Sequence, residues 1–216
     1  MPADALQALV FDFDGTLAEL NIDFAALGRQ VRALARRRGY ADEWPAGYLL
    51  EQVEAVAAAL GNGFAAEAQA LIQAGELEAA GRGRLFAHAR PLLTAARRRG
   101  LGVAVISRNC GPAIRRVFPE IDRAVGAFLP REAVERVKPD PAHALAALEV
   151  LGAASRRAAL IGDHPVDLAT AHAAGCLAVG VASGRVDLAG LAAAGADLVL
   201  PDASGLLEAL AAQGWL

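Results

Sequence analysis

The sequence predicts an α/β fold in which a doubly wound, Rossmann-like parallel sheet carries a helical segment inserted after its first strand. The first observation is a short apolar run that ends in acidic residues, over residues 6–17. The second is helical periodicity over residues 22–80, and the third is helix–strand alternation from about residue 88 onward. Strands that alternate with helices form parallel sheets that helices cover on both faces.

The inserted segment contains three groups of apolar residues at helical spacing. They fall within residues 24–34, 49–60 and 64–72, and we expect three helices that pack as a bundle. The breaks between them fall at Gly39, Pro45, Gly61 and Gly63. We interpret Trp44 and Tyr48 in this segment as packing residues, with contact to a ligand as the alternative.

The alternating part of the chain contains five further predicted strands and six helices. The strands are predicted at residues 103–106, 124–129, 158–161, 177–181 and 198–200. The helices are predicted at residues 91–99, 113–118, 141–151, 165–174, 187–194 and about 206–212, the first and third ending at Gly100 and Gly152. Ligands of such sheets bind at the carboxyl ends of the strands, and we expect each candidate residue below to follow a strand directly.

The composition bounds the class of protein. The chain has 216 residues, of which 55% are hydrophobic, and this is enough for a sizeable core. Its net charge of −3 gives no electrostatic reason to expect a nucleic-acid partner. No apolar run reaches membrane-spanning length and no signal peptide is visible, so we expect a cytoplasmic protein without a membrane partner. Cys110 and Cys176 are too few for a disulfide scaffold and are expected to be small buried hydrophobes.

Two aspartates end the first predicted strand. Asp12 and Asp14 follow an apolar run, and side chains two residues apart point to the same side of an extended chain. Ionised carboxylates resist burial unless a cation or several hydrogen bonds compensate them. Hard oxygen ligands favour magnesium as that cation, and Gly15 permits the turn that follows. The alternative interpretation is a surface turn.

Other polar residues follow later strands or lie in loops. Ser107, followed by Arg108 and Asn109, places a hydroxyl and main-chain N–H groups where they can bind an anion, or else cap the next helix. Arg108 either adds a charge to that anion site or faces solvent. Lys138, flanked by Val137 and Pro139, is either a directed ammonium or a solvated loop lysine.

A second acidic strand end lies at residues 162–167. Asp163 emerges from the strand, while Asp167 falls in the first turn of the next helix, where an acid can simply complement the helix dipole. His164, between them, either touches a metal-bound water or substrate, or caps the helix and pairs with Asp167. The remaining histidines look isolated, without metal-ligand spacing: His88, His143 and His172.

The ordered combination of these motifs resembles the haloacid dehalogenase superfamily of phosphohydrolases. The motifs are DxDGT at 12–16, the strand-end Ser107, Lys138-Pro139 and GDxxxD at 162–167. Within that superfamily the chain is similar to the phosphoglycolate phosphatase and β-phosphoglucomutase-like branch, which carries a helical cap.

The resemblance covers essentially the whole chain and implies its domain organisation. Residues 1–17 and 86–216 would form the α/β core domain, and residues 18–85 would form the cap, which would supply the contacts that select a substrate. The sequence after Leu17 departs from the phosphoglycolate phosphatase pattern, and so does His164, at a position where Ser or Thr is frequent.

The resemblance also implies the roles of individual residues. Asp12 would be the nucleophile that takes the phosphoryl group, and Asp14 would act as the general acid and base. Magnesium would be held by Asp12, the main-chain carbonyl of Asp14 and Asp163, with Asp167 positioning the metal's waters or the lysine. Catalytic and substrate-binding contacts to the phosphoryl oxygens would come from Ser107 and Lys138, with Arg108 and Asn109 as further binding residues.

The function implied is that of a magnesium-dependent phosphatase that hydrolyses a small phosphate monoester through an aspartyl-phosphate. A phosphosugar mutase of the same superfamily is the first alternative, because it shares the core site. A regulatory protein with a phosphoaspartate switch is the second, although such proteins lack both the DxD pattern and the helical insertion. The expected partner is a small phosphorylated metabolite, and the expected assembly is a monomer or homodimer.

Overall fold

The computed structural model of the protein describes residues 5–216 and divides the chain into two compact units. One unit comprises the chain up to Leu20 together with Gly83–Leu216, and the other comprises Asn21–Arg82. The first unit therefore consists of two segments, and the second is inserted between them.

The first unit is built around a six-stranded sheet in which every pairing is parallel. Its strands are β1 (Ala8–Phe11), β4 (Gly102–Ile106), β5 (Ala127–Leu129), β6 (Ala158–Gly162), β7 (Leu177–Val181) and β8 (Leu198–Leu200). Their order across the sheet is β5-β4-β1-β6-β7-β8. The chain therefore winds outward from β1 in one direction and then in the other, which confirms the predicted doubly wound α/β fold.

The register of the central strands brings their carboxyl ends to one edge of the sheet. Phe11, the last residue of β1, lies opposite Val105 of β4 and Ile161 of β6. All four residues of β1 are apolar and fully buried, as expected for a central parallel strand that helices cover on both faces. The residues that follow β1, β4 and β6 are therefore neighbours at this edge.

Helices flank the sheet of this unit. They are α4 (Ala89–Arg98), α5 (Gly111–Val117), α6 (Ile121–Ala124), α7 (Ala142–Leu151), α8 (Pro165–Ala174), α9 (Leu188–Ala193) and α10 (Leu206–Ala212). The short helix α6 was not predicted, and the strand expected from residue 124 begins only at Ala127. Ala124 is the last residue of α6, and Val125 and Gly126 form an irregular connection before the strand begins.

A two-stranded antiparallel ribbon joins the points where the chain leaves and re-enters this unit. It pairs β2 (Ala18–Glu19) with β3 (Arg84–Leu85), and Arg84 Nη2 lies 2.8 Å from Glu19 Oε2. Two-residue strands are too short to show a periodicity, so the sequence pattern does not predict them.

The second unit consists of the three predicted helices, α1 (Phe24–Arg37), α2 (Leu49–Leu60) and α3 (Asn62–Ala80). Its core contains apolar residues from all three helices: Val31, Leu34, Ala35, Val53, Val56, Phe64, Ala68 and Ile72. Trp44 packs against this core, and its Nε1 donates to Gln52 Oε1 at 2.9 Å. Tyr48 is 46% exposed, so the interpretation of Tyr48 as a packing residue is wrong.

The prediction for both cysteines is confirmed, since Cys110 and Cys176 are buried and burial raises the pKa of the Cys176 thiol to about 11. Within residues 5–216 no helix combines the length and hydropathy that crossing a membrane requires.

Candidate active site

Three of the predicted polar residues lie at the carboxyl edge of the sheet. Asp12 follows β1, Ser107 follows β4 and Asp163 follows β6. All three are buried, with 8%, 1% and 6% of their surface exposed. Because their strands are neighbours in register, residues that are far apart in the sequence are brought together here.

A cluster of three buried carboxylates occupies this edge. Asp12, Asp163 and Asp167 each offer an oxygen, and these oxygens lie within 4.8 Å of one another. Asp167 enters the cluster directly, from the first turn of α8. The Asp14 side chain is only partly buried, and its Oδ1 accepts a hydrogen bond from the Leu20 N–H at 2.8 Å.

Lys138 extends its ammonium between two of these carboxylates. Its Nζ donates to Asp12 Oδ1 at 2.5 Å and to Asp167 Oδ1 at 2.6 Å, and the residue is 1% exposed. It is therefore a directed ammonium and not a solvated lysine. The expectation that each candidate directly follows a strand is wrong for Lys138, because an irregular segment containing the 3₁₀ turn Arg131–Ala133 separates it from β5.

The charges of this cluster do not balance. Burial raises the pKa of the Asp12 carboxyl well above its usual range, and the Lys138 charge only partly opposes this. Burial, reinforced by the Asp167 charge, raises the pKa of Asp163 to about 7. Burial lowers the pKa of the Lys138 ammonium, but the two carboxylates outweigh it and hold that pKa above its ordinary value. Three carboxylates facing one ammonium leave an excess of negative charge that a divalent cation would neutralise.

The surroundings of Asp163 fit a small, hard cation. A Cβ added to Gly15 would lie 2.4 Å from Asp163 Cγ, and one added to Gly184 would lie 1.8 Å from its Oδ2. Two main-chain segments thus approach the same carboxylate, and the Arg185 N–H donates to Oδ2 at 3.4 Å. An all-oxygen donor set held by close backbone packing suits Mg²⁺.

The loop that follows β7 also belongs to the candidate site, although none of the sequence motifs includes it. Ser183 Oγ donates to the Gly15 carbonyl at 2.7 Å, which fastens this loop to the turn after Asp14. The position of this loop could have predicted its role, because small and polar residues follow a predicted strand whose carboxyl end reaches the same edge of the sheet.

The segment after β4 lies beside the lysine. Ser107 Oγ accepts a hydrogen bond from the Asn109 N–H at 3.1 Å, and both residues are buried. The Arg108 guanidinium donates from Nη1 to the carbonyl oxygen of Lys138. Arg108 thus contacts the main chain of Lys138 directly.

His143 was interpreted as isolated, and that interpretation is wrong. The residue is fully buried; its Nδ1 accepts from the Lys138 N–H at 3.3 Å and its Nε2 lies 2.9 Å from the Leu129 carbonyl. Burial lowers the pKa of the imidazole to about 4, so the ring is neutral at neutral pH. The pattern gave no signal here, because the contact depends on the path of the loop.

The other two histidines also have polar neighbours. His88 Nε2 lies 3.3 Å from the Thr16 carbonyl, and His172 Nε2 lies 3.7 Å from Asp197 Oδ2. Neither ring lies in the acidic cluster of Asp12, Asp163 and Asp167.

His164 caps helix α8, as one of its two interpretations held. Its Nδ1 accepts from the Val166 N–H at 3.3 Å, and Asp167 Oδ2 accepts from the His164 N–H at 3.2 Å. These two bonds form a capping box. Burial lowers the pKa of His164, which favours the neutral ring that this acceptor role requires.

Comparison with solved structures shows the same fold over almost the whole chain. A hydrolase from Pseudomonas syringae has a TM-score of 0.74 at 20% identity, covering 96% of this chain and 98% of that one. A hydrolase of the haloacid dehalogenase family from Deinococcus radiodurans, solved with bound phosphate and sodium, has a TM-score of 0.66 at 24% identity, covering 99% of each chain. A structure described as a predicted phosphoglycolate phosphatase from Haemophilus somnus has a TM-score of 0.65 at 19% identity, covering 94% and 97%.

A comparison with curated protein sequences gave no match. The sequence model of the haloacid dehalogenase-like hydrolase family matches residues 6–175, which include every aspartate of the acidic cluster and the lysine between them. The chain belongs to the haloacid dehalogenase-like hydrolases.

Proposed function

We propose that this protein is a magnesium-dependent phosphatase that hydrolyses a small phosphate monoester through an aspartyl-phosphate on Asp12. One observation carries the proposal: the buried Asp12 contacts the ammonium of Lys138 and lies in one cluster with the carboxylates of Asp163 and Asp167. Such a group is poised to receive an anion once a cation is present. The phosphate and sodium bound in the Deinococcus radiodurans structure support an oxyanion and a cation as ligands of this fold.

In the first step, an Asp12 carboxylate oxygen attacks the phosphorus atom and the bond between phosphorus and the ester oxygen breaks. Asp14 donates a proton to the departing alkoxide, so the alcohol leaves neutral. The hydrogen bond from the Leu20 N–H to Asp14 Oδ1 fixes the orientation of that carboxyl group. The Lys138 ammonium offsets the charge of the transferring oxygens.

In the second step, water attacks the phosphorus atom of the aspartyl-phosphate. Asp14, now a carboxylate, accepts a proton from this water, and the Asp12 carboxylate is released together with inorganic phosphate. Dividing the hydrolysis into two displacements replaces one difficult step with two easier ones.

We assign Asp12, the main-chain carbonyl of Asp14, and Asp163 as the residues that would hold Mg²⁺. When bound, Mg²⁺ supplies Lewis-acid stabilisation of the phosphoryl oxygens and neutralises the excess carboxylate charge. Asp167 binds the same Lys138 ammonium that donates to Asp12 and so helps to position it.

The phosphoryl oxygens would be bound by Ser107 and Lys138, with Arg108 and Asn109 completing the pocket. We assign the residues 18–85 to a cap that selects the substrate, and the remainder to the catalytic core. The name of the Haemophilus somnus structure places phosphoglycolate among the first esters to test. Two buried cysteines suit a reducing, cytoplasmic setting.

The test is the release of inorganic phosphate from a panel of phosphate monoesters in the presence of Mg²⁺. The panel contains phosphoglycolate, hexose phosphates, nucleoside monophosphates and an aryl phosphate. Asp12→Asn should abolish turnover while the fold persists, because the amide is not a competent nucleophile. Asp122→Asn, which removes only a surface ion pair with Arg115, is the matched control and should keep full activity.

Substantial activity of Asp12→Asn would refute the nucleophile assignment. Undiminished activity in excess chelator would refute the metal requirement. Interconversion of sugar phosphates without release of phosphate would favour the mutase, and a stable phosphoryl group on Asp12 without turnover would favour the regulatory switch.

A further inference from the structure

The side chain of Lys138 is closely held, although the segment that carries it has little regular secondary structure. Its ammonium is held at 2.5 Å and 2.6 Å by two buried carboxylates, and the residue is almost fully buried. The chain between the end of β5 and the start of α7 contains only the 3₁₀ turn Arg131–Ala133. Something other than a strand or helix must therefore fix the main chain at Lys138.

The main chain of Lys138 is held by side chains at both of its polar groups. The Arg108 guanidinium donates to its carbonyl oxygen, and Nδ1 of His143 accepts from its N–H at 3.3 Å. His143 projects from the first turn of α7 and is fully buried.

The imidazole of His143 links the lysine to the sheet. Its Nε2 lies 2.9 Å from the carbonyl oxygen of Leu129, the last residue of β5. A carbonyl can only accept, so Nε2 carries the proton and Nδ1 is the acceptor for the Lys138 N–H. The ring thus spans from the end of an ordered strand to the lysine, with one tautomer satisfying both contacts. The lowered pKa of the ring agrees with this neutral form.

We propose that His143 is a positioning residue that, from the first turn of α7, fixes the main chain of Lys138 through Nδ1 and so keeps the ammonium between Asp12 and Asp167. The inference rests on the proposed function, because the phosphoryl-binding role of Lys138 is assigned there. His143 itself touches no reacting atom. It acts only through the lysine, at a distance of one hydrogen bond.

Two conservative variants distinguish the contribution of the hydrogen bond at Nδ1 from that of the hydrogen bond at Nε2. Asparagine carries a polar atom near the position of Nδ1 and preserves an acceptor for the Lys138 N–H. Glutamine carries its polar atoms near the position of Nε2 and preserves the donor to Leu129. Each variant keeps one of the two hydrogen bonds, so their losses of stability should be similar.

Phosphatase activity should depend on which of the two hydrogen bonds the variant keeps. With an aryl phosphate and Mg²⁺, His143→Asn should lose less than about fivefold in kcat/KM, and His143→Gln should lose about tenfold to a hundredfold, since ~1 Å of misplacement costs on the order of a hundredfold. The loss should fall mainly on kcat, because a displaced ammonium stabilises less of the charge that develops in the transition state. His172→Asn and His172→Gln, at a half-exposed ring, should both stay within about twofold by the same measure.

Equal losses in the two His143 variants, or losses that follow melting temperature and not the atom retained, would overturn the proposal. A second measurement does not require turnover. The ¹⁵N chemical shifts of the His143 ring should show an unprotonated Nδ1 and a protonated Nε2. A protonated Nδ1 would overturn the proposal.

Inorganic phosphate binding with Mg²⁺, measured by calorimetry, separates this proposal from the proposed function. If the wild type turns over no ester, the proposed function fails. The positioning role then stands if His143→Gln weakens phosphate binding more than His143→Asn, and falls if the two variants bind equally.

Discussion

Main chain approaches the Asp163 carboxylate closely at two glycines, Gly15 and Gly184. The contact at Gly184 is the closer one, since a methyl group there would lie 1.8 Å from Asp163 Oδ2. The buried carboxylate has little room to retreat, and the Arg185 N–H adds a hydrogen bond at the same oxygen. Only glycine at position 184 therefore leaves this carboxylate where the cluster needs it.

Gly184→Ala should weaken Mg²⁺ binding by about tenfold or more, because the methyl group displaces the Asp163 carboxylate from the position in which it would bind the metal. The measurement is calorimetric titration of the wild type and the variant with Mg²⁺.

Gly205→Ala is the matched control, because a Cβ at Gly205 meets no atom within 4 Å. That variant should bind Mg²⁺ as the wild type does. Wild-type affinity in Gly184→Ala would show that Asp163 is not confined by the loop after β7.

Among the secondary-structure elements, helix α8 carries a residue that contributes both to the stability of the helix and to the candidate site. Its N-terminal capping box joins His164 to Asp167, and Asp167 uses Oδ2 for the His164 N–H and Oδ1 for the Lys138 ammonium. The same carboxylate therefore satisfies a helix end and holds the lysine. The start of α8 is a structural element on which the orientation of Asp167 depends.

The capping role of His164 predicts how substitutions act on stability. His164→Ala should lower the free energy of unfolding by about 1 kcal/mol, because the Val166 N–H loses its side-chain acceptor. His164→Ser should retain wild-type stability to within about half a kcal/mol, because serine is a strong N-cap residue. The measurement is urea-induced unfolding in metal-free buffer. An alanine variant as stable as the serine variant would contradict the capping role.

At the scale of the whole molecule, the acidic cluster makes stability depend on pH. The pKa of Asp163 is raised to about 7 from an ordinary value of 3.8, and that of Asp12 is raised as well. A group whose pKa is higher in the folded state binds its proton more tightly there. Its contribution to stability is complete below about pH 4 and is lost as the pH rises through 7.

Bound Mg²⁺ should therefore stabilise the protein more at pH 8 than at pH 6. At pH 8 the Asp163 carboxyl is mostly ionised and available as a ligand, whereas at pH 6 a proton competes for it. The measurement is the change in melting temperature on adding Mg²⁺, taken at each pH against NaCl of equal ionic strength.

Taking the difference at each pH cancels the contributions of titrating groups that do not bind the metal. His143 is the main one, since its pKa is lowered to about 4 and its contribution is lost as the pH falls below about 6.5. A Mg²⁺-induced shift that is equal or smaller at pH 8 would contradict the assignment of Asp163 as a metal ligand.

Local patterns in the sequence were sufficient to predict the fold class and the polar residues at the ends of the strands. Apolar runs and helical periodicity record which faces are buried, and these are local properties of the chain. For the same reason Asp12, Ser107 and Asp163 could be identified in advance, because each directly follows a strand and parallel strands end at a common edge.

The positions of Lys138 and His143 in the site depend on contacts between distant parts of the chain, and local patterns could not predict them. The contact between Lys138 and Asp12 spans 126 positions of the sequence, and the lysine reaches it through a loop whose path has no periodic signature. His143 looked like an isolated helix residue until that loop brought the Lys138 N–H to its ring. Contacts of this kind arise from the path of irregular main chain and the register of distant strands, which no local pattern encodes.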